Sequence, residues 1–282
     1  MSSLASRARG FLGPSPPEAR TRRAAGFGSA ARSVLVTLGP FVVLVAVWWA
    51  IKAAFDLSDE SLASPADVVG KAVELVRLGM LPVFVSESLR RIALGAGLAV
   101  LMGVPVGLVL GLSRYGAPMF EPFLRFFQAV SGIAWLPLAI VWFGFTDTTI
   151  QVVILYTALV PIIFNTMMGV RLIPRIYRES FQTMGGGRLR LITDIYIPGA
   201  LASIVVGLRL GIGYGWRALI AGEMLIGASG IGFMIFEARR FHLIDVILAG
   251  MIIIGVLYLI IDRMILAPIE RVTVHRWGIL RS

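Results

Sequence analysis

The chain has 282 residues but no cysteine, two histidines and two lysines, and only 15% of its residues are charged. Without cysteine there is no disulfide framework, thiolate metal site or cysteine nucleophile. His242 and His275 lie far apart in sequence, which argues against a histidine-based metal site. Neither Lys52 nor Lys71 completes the GxxxxGK[ST] pattern that a phosphate-cradling loop needs, so no nucleotide site is visible. No triad, metal cluster or pair of carboxylates suggests a catalytic centre. The expectation is a non-enzymatic chain without a cofactor of its own; if ATP powers it, the ATPase is another polypeptide.

What the chain has in quantity is apolar sequence. Hydrophobic residues make up 57% of it, whereas soluble domains carry about 45–50% apolar and about 25% charged residues. Several apolar runs reach the ~18 residues that mark a membrane-crossing helix. The fold class expected is therefore an all-α integral membrane protein with about six transmembrane helices. The spans read as Val34 to Phe55, Ile92 to Leu112, Phe123 to Phe145, Ile150 to Val170, Ala200 to Gly222 and Leu243 to Leu266. Residues 33–282 read as one membrane domain and residues 1–32, with six arginines, as a basic disordered tail. Between the first two spans, Ser64 and Pro65 open a surface helix.

The net charge of +10 comes from arginines at the ends of the spans. Topology explains that better than nucleic acid, since no basic face carries interleaved aromatics. A cytoplasmic tail places the C-terminal Arg263, Arg271, Arg276 and Arg281 inside as well. The loop between spans four and five, with Arg171, Arg175, Arg178, Arg188 and Arg190, falls on the same side. Arg90 and Arg91 are the exception; they are expected at the outer edge of span two, where their side chains could snorkel. The segment 223–242, with Glu237, Arg239, Arg240 and His242, is expected outside.

The loop of residues 173–198 is longer than a connection requires. "PRIYRESFQTM" suits a short helix, "GGG" ends it, and "RLRLITDIYIP" suits a second short helix with Pro198 at its junction with span five. A helix–glycine–helix elbow outside the bilayer can dock into another protein.

At this point the residues resemble the permease subunits of binding-protein-dependent ABC importers. Their marker is Glu-Ala-Ala, a glycine six positions after the glutamate and a proline nineteen after it; Glu179, Gly185 and Pro198 stand at those spacings. "SPADVV", "GVPVGLVLGLSR", "WLPLAIVWFG", "GLRLGIGYGW" and "GEMLIGASGIGFMI" are similar to the nitrate/sulfonate/taurine-type branch, over about residues 34 to 278. The resemblance implies a type I importer permease fold and a permease dimer, expected as two copies of this chain. It also implies a cytoplasmic ATPase pair that binds ATP and magnesium, and an external solute-binding protein. The loop would be the coupling helix, with Glu179, Ser180, Phe181, Met184, Gly185, Gly186, Gly187 and Pro198 as its contact residues. Ser180 and Phe181 depart from the family's two alanines, and Gly186-Gly187 from a more usual Ala-Ser. Phe181 either anchors in the ATPase cleft or packs under its own loop.

Span five carries Gly199, Ser203, Gly207, Gly211 and Gly215 every four residues, a stripe that lets helices approach closely. Gly103, Gly107 and Gly111 repeat the theme in span two. Arg209, Trp216 and Glu223 recur every seven residues on roughly the opposite side. Arg209 near the bilayer midplane must face protein or water. It either pairs with Asp262, or neutralises a nitrate-, sulfonate- or carboxylate-like anion in the pore, with Trp216 beside it. Ser131 and Trp135, with Gln128, either line the path or pack between helices, and Pro137 permits a kink in span three. The rival class is a self-contained carrier or channel, which would need a central carboxylate that the spans do not show.

Overall fold

Glycines spaced four apart on two helices, facing branched residues on a third, decide how this chain packs. The computed structural model describes residues 25–59 and 61–270, with side chains from residue 39 onward. Among these residues there are helices and connecting turns and no strand. The helices are α1 (Ala25–Ala54), α2 (Pro65–Arg77), α3 (Met80–Leu112), α4 (Gly116–Ala129), α5 (Leu136–Phe143) and α6 (Asp147–Arg171). They continue as α7 (Arg175–Thr183), α8 (Arg188–Leu191), α9 (Ile197–Leu225), α10 (Ile231–Arg240) and α11 (Ile244–Ile261). A 3-10 turn, Gly132–Trp135, precedes α5; π turns at Ile192–Tyr196 and Asp262–Leu266 precede α9 and follow α11.

The chain divides between Asp56 and Leu57 into two units. The first contains α1, whose start at Ala25 makes the end of the expected tail helical. Residues 1–24 of that tail, and Arg271, Arg276 and Arg281, lie outside the described residues.

Four helices in the second unit are long and apolar enough to cross a membrane: Met80–Leu112, Asp147–Arg171, Arg188–Leu225 and Ile244–Glu270. The expected third span is not one rod. It is α4 and α5, bent by 83° at Val130–Ser131. Both residues take extended backbone, so the helix stops there. Pro137 falls in the first turn of α5, where its missing N–H breaks no helical bond; the break is upstream of the residue expected to kink. Gly132 permits the turn, because a Cβ there would run into Thr157 on α6. Counting the bent pair as a span gives five, and the described apolar part of α1, Gly39–Ala54, lies where the first was expected.

α6 is the central rod, packed most extensively against α3 on one side and α9 on the other. Gly95, Gly103, Gly107 and Gly111 of α3 sit over Ile154, Ile162, Thr166 and Val170 of α6. Gly207 and Gly211 of α9 meet Asn165 and Ala158. The two stripes expected to serve close packing therefore sandwich one helix. A Cβ at Gly107 would lie 2.6 Å from Thr166 Cβ and 2.8 Å from the Ile163 carbonyl oxygen. Overpacking of this kind costs about 1–3 kcal/mol. Gly107→Leu should lower the thermal midpoint of the detergent-purified protein, whereas Gly97→Leu, at a position with nothing within 4 Å, should not. Equal midpoints for the two would contradict this packing.

α2 forms as its sequence suggests. Ser64 Oγ accepts from the Asp67 N–H at 3.2 Å, and Asp67 accepts from the Ser64 N–H at 3.2 Å. This reciprocal cap satisfies donors that the first helical turn leaves open. Its buried Val68 and Leu75 seat it on the second unit, chiefly against α11.

Candidate functional site

Three places combine functional chemistry with defined geometry. The first is the elbow after α6. Pro174 stops the central rod, and α7 runs nine residues with none of them buried. Gly185, at φ +80°, turns the chain in a conformation that costs a side-chain-bearing residue roughly 1–2 kcal/mol. Met184 and Leu189 flank the turn at 78% and 76% exposure, and Ile176 and Tyr177 are exposed as well. Glu179 and Ser180 are exposed on the same short helix. The Phe181 ring folds against Gly186, where a Cβ would overlap it, so it packs on its own loop. Gly187 precedes α8.

The second expected short helix is not separate. α8 runs through the π turn into α9 without leaving helical geometry, and Pro198 lies inside the continuous rod. A proline cannot donate its helical bond and crowds the carbonyl four residues back; a π turn immediately before it provides the room. The elbow is thus attached directly to a 38-residue helix, Arg188–Leu225. Beside it, Arg114, Arg171, Arg175 and Arg178 line a cavity of about 590 Å³.

The second place was not anticipated. Arg91, expected to snorkel, is buried, and so is Glu223, expected at the outer boundary. Arg91 Nη1 donates to Glu223 Oε1 at 2.9 Å and to the Ser229 carbonyl at 2.7 Å. Its Nε donates to Asp147 Oδ1 at 3.0 Å, and its Nη2 to Ser229 Oγ at 3.0 Å. Arg90 reaches the other oxygen of Asp147 at 2.7 Å. The Glu223 carboxylate also accepts from Ser88 Oγ at 2.8 Å and from the Gly232 N–H at 2.9 Å; Ser88 Oγ accepts from the Ile231 N–H at 3.0 Å. Glu223 therefore caps α10 from the end of the preceding helix, supplying charge where a helix start exposes unpaired N–H groups. Gly230, at φ +113°, lets the loop close over it, since a Cβ there would overlap the carboxylate. The network ties α3, α6, α9 and α10 together. Two sequence signals pointed to it: a carboxylate at the very end of an apolar span, and two arginines on the side where arginines are disfavoured.

The third place is a cavity of about 310 Å³ at the break between α4 and α5. Ser131 and Gln128 line it, with Phe127, Tyr156, Thr157, Tyr214 and Arg217. Trp135 stands behind this wall, its ring 5.2 Å from Tyr156 and 6.1 Å from Phe127. The other two expected path residues are elsewhere. Arg209 bonds Asp262 at 3.0 Å and Glu270 at 2.8 Å, so the expected pairing forms with a second carboxylate added. Trp216 is buried among Ile92, Ala96, Ile154 and Leu219, with Tyr258 against it. The helical stripe holding Arg209, Trp216 and Glu223 thus faces protein. Arg217, one residue round the helix from Trp216, is the cation that reaches the cavity. Among the described residues, no group of three or more histidine, cysteine or carboxylate side chains is placed to hold a metal ion.

A glycine-packed bundle of membrane-length helices, one of them broken, with an exposed apolar elbow rooted in its longest rod, defines a polytopic membrane protein. The model of the binding-protein-dependent transport system inner membrane component family matches residues 103–270. The chain is 31% identical over 248 residues to the taurine transport system permease protein TauC of Escherichia coli, covering 86% of this chain and 90% of that one. It is 34% identical over 178 residues to the nitrate import permease protein NrtB of Synechocystis, covering 63% and 65%. Among solved structures, the MetNI methionine ABC transporter in an inward-facing conformation aligns with a TM-score of 0.55 at 16% identity, over 68% of this chain and 97% of that one; that likeness shows the fold. The chain belongs to the permeases of binding-protein-dependent ABC importers, in the nitrate/taurine branch, and has their type I fold.

Proposed function

We propose that this permease carries a small anionic solute across the membrane, driven by ATP hydrolysis on a separate pair of ATPase subunits gripping the 173–198 elbow. The observation that carries the reading is the elbow itself. Exposed Ile176 and Tyr177 on the solvated α7, with Met184 and Leu189 around the turn after it, display apolar surface that the described residues leave uncovered. Such anchors are what an interface cleft binds. Because α8 is continuous with α9, a displacement of the elbow is delivered to a rod that packs on the central helix. Glu179, Ser180, Met184, Gly185 and Gly187 form the docking face, with Phe181 and Gly186 bracing it from within and Pro198 rooting it. ATP and magnesium belong to the ATPase partner.

The rest of the assembly follows from the same reading. Residues 33–282 form the permease domain behind a basic N-terminal segment; a second copy completes the path, and an external solute-binding protein delivers cargo. The elbow and both termini face the cytoplasm, as the arginines of the elbow and its neighbouring cavity favour. The named cargoes of relatives, taurine and nitrate, are anions or carry an anionic group, which supports the solute class. The path is proposed along the cavity at the broken span, with Ser131 on its wall and Trp135 behind it. Arg209 holds the final helix against α9 and lies off this path.

The test uses the absence of native cysteine. A single Ser180→Cys chain should resist a membrane-impermeant maleimide applied to intact cells and react once the membrane is opened. An ATPase subunit should purify with it. Labelling from outside, or a chain that transports without an ATPase, would refute the proposal.

A further inference from the structure

We infer that Arg217 is the charge that admits anions to the cavity at the broken span, and so sets the solute's sign and the shape of its head. This rests on the transport reading above and deepens it. Three observations converge on this residue. Arg217 lies about 9 Å along the helix axis from Gly211, the middle of the apolar 200–222 stretch. A guanidinium at that depth is costly and must face protein partners or water. Every other arginine described on α3 or α9 has carboxylate partners: Arg90 and Arg91 share Asp147, and Arg209 has Asp262 and Glu270. Arg217 is exposed and bonds no carboxylate among the described residues; its one defined partner is the Tyr214 ring, 5.6 Å from the guanidinium carbon.

The cavity it enters supplies the remaining requirements. The helix break at Val130–Ser131 puts extended backbone, rather than a helix face, in the lining of the cavity that Arg217 also lines. Ser131, Gln128 and Thr157 offer hydrogen-bonding groups, and Phe127, Tyr156 and Tyr214 an aromatic surface. At about 310 Å³ the space is at the small end of ligand pockets. One planar, five-donor fork matches one carboxylate or sulfonate head, and the aromatic wall suits an apolar body attached to it. The site thus favours a solute with one anionic head over a cation or a polyanion. The tyrosine face holds the guanidinium in place through its ring electrons while its donors remain directed to the solute.

The experiment needs no knowledge of the cargo. Ser131→Cys puts a single thiol on the cavity wall of this cysteine-free chain. In membranes containing the full complex, its rate of modification is compared for two methanethiosulfonate reagents, an ethylsulfonate and an ethyltrimethylammonium, with mass spectrometry of this chain as the readout. With Arg217 present the sulfonate should react faster relative to the ammonium. In an Arg217→Gln background that ratio should fall about tenfold, the size of effect a charge exerts in a low-dielectric cleft, and Arg217→Lys should restore most of it. A Ser61→Cys control, exposed just before α2 and outside every site described, should show no change in ratio. An unchanged ratio at Ser131→Cys, or a thiol that neither reagent reaches, overturns the assignment. Recovery of an ATPase with the same preparation keeps the two claims apart: its presence beside an unchanged ratio sinks the Arg217 role alone, and its absence sinks the transport reading.

Discussion

Arg91→Ala should all but eliminate the chain from the membrane fraction. Each guanidinium nitrogen of Arg91 is engaged, with Glu223, Asp147 and Ser229 as partners. Glu223 is completely buried, so removing the arginine leaves a carboxylate without its counter-charge in a site with no access to water. Removing one partner of a buried pair costs about 3–5 kcal/mol, much of a protein's net stability. Here the loss would also free the α9–α10 loop, because the same carboxylate caps α10. Arg91→Lys should rescue only weakly, since one ammonium cannot span contacts made in three directions. Glu223→Gln separates the charge from the cap: it keeps an oxygen for the Gly232 N–H and should be milder than Arg91→Ala. Quantitative blotting of membranes and thermal stability in detergent measure all three. Wild-type amounts of Arg91→Ala protein would show that the cluster does not hold the bundle.

Gly185→Val should abolish transport while leaving insertion intact. The residue sits at φ +80°, where a Cβ would meet nothing within 4 Å, so the obstacle is backbone conformation alone. A branched side chain is poorly tolerated there. The turn would have to open, moving Met184 and Leu189 relative to α7. Losing one well-anchored apolar contact costs an interface about 2 kcal/mol or more, which corresponds to more than tenfold in binding. Met184→Asp should give the same result without touching the backbone. The measurements are solute uptake by cells expressing the complete system, and recovery of the ATPase with the tagged permease. Full uptake by both variants would rule out the elbow as the docking surface.

Much of this molecule was legible because the bilayer constrains sequence so strongly. The second, fourth, fifth and sixth apolar runs, the cap at Ser64 and the glycine stripes each appear where their pattern placed them. The elbow was legible for the same reason, since three glycines after a polar helix announce a turn. The broken third span was not. Phe123 to Phe145 carries one charge, Arg125, in a largely apolar run, and hydropathy does not report that Val130 and Ser131 leave helical geometry. Pro137 drew attention to the wrong residue, because a proline in a first turn starts a helix as readily as one in mid-helix bends it. Pro198 was expected at a junction between two helices, and the π turn carries one continuous rod through it.

The charged residues divide along the same line. Sequence alone determined that Arg209 must face protein or water, and the spacing puts Glu223 about 21 Å away along the same helix, out of its reach. Only the tertiary structure decided that Arg91 takes Glu223, that Arg209 takes Asp262 and Glu270, and that Arg217 reaches the cavity. The reason is physical. Transfer from water to lipid is a property of each segment by itself and so can be read from a string of residues. Which charge meets which depends on the rotation and offset of helices that pack through contacts distant in sequence.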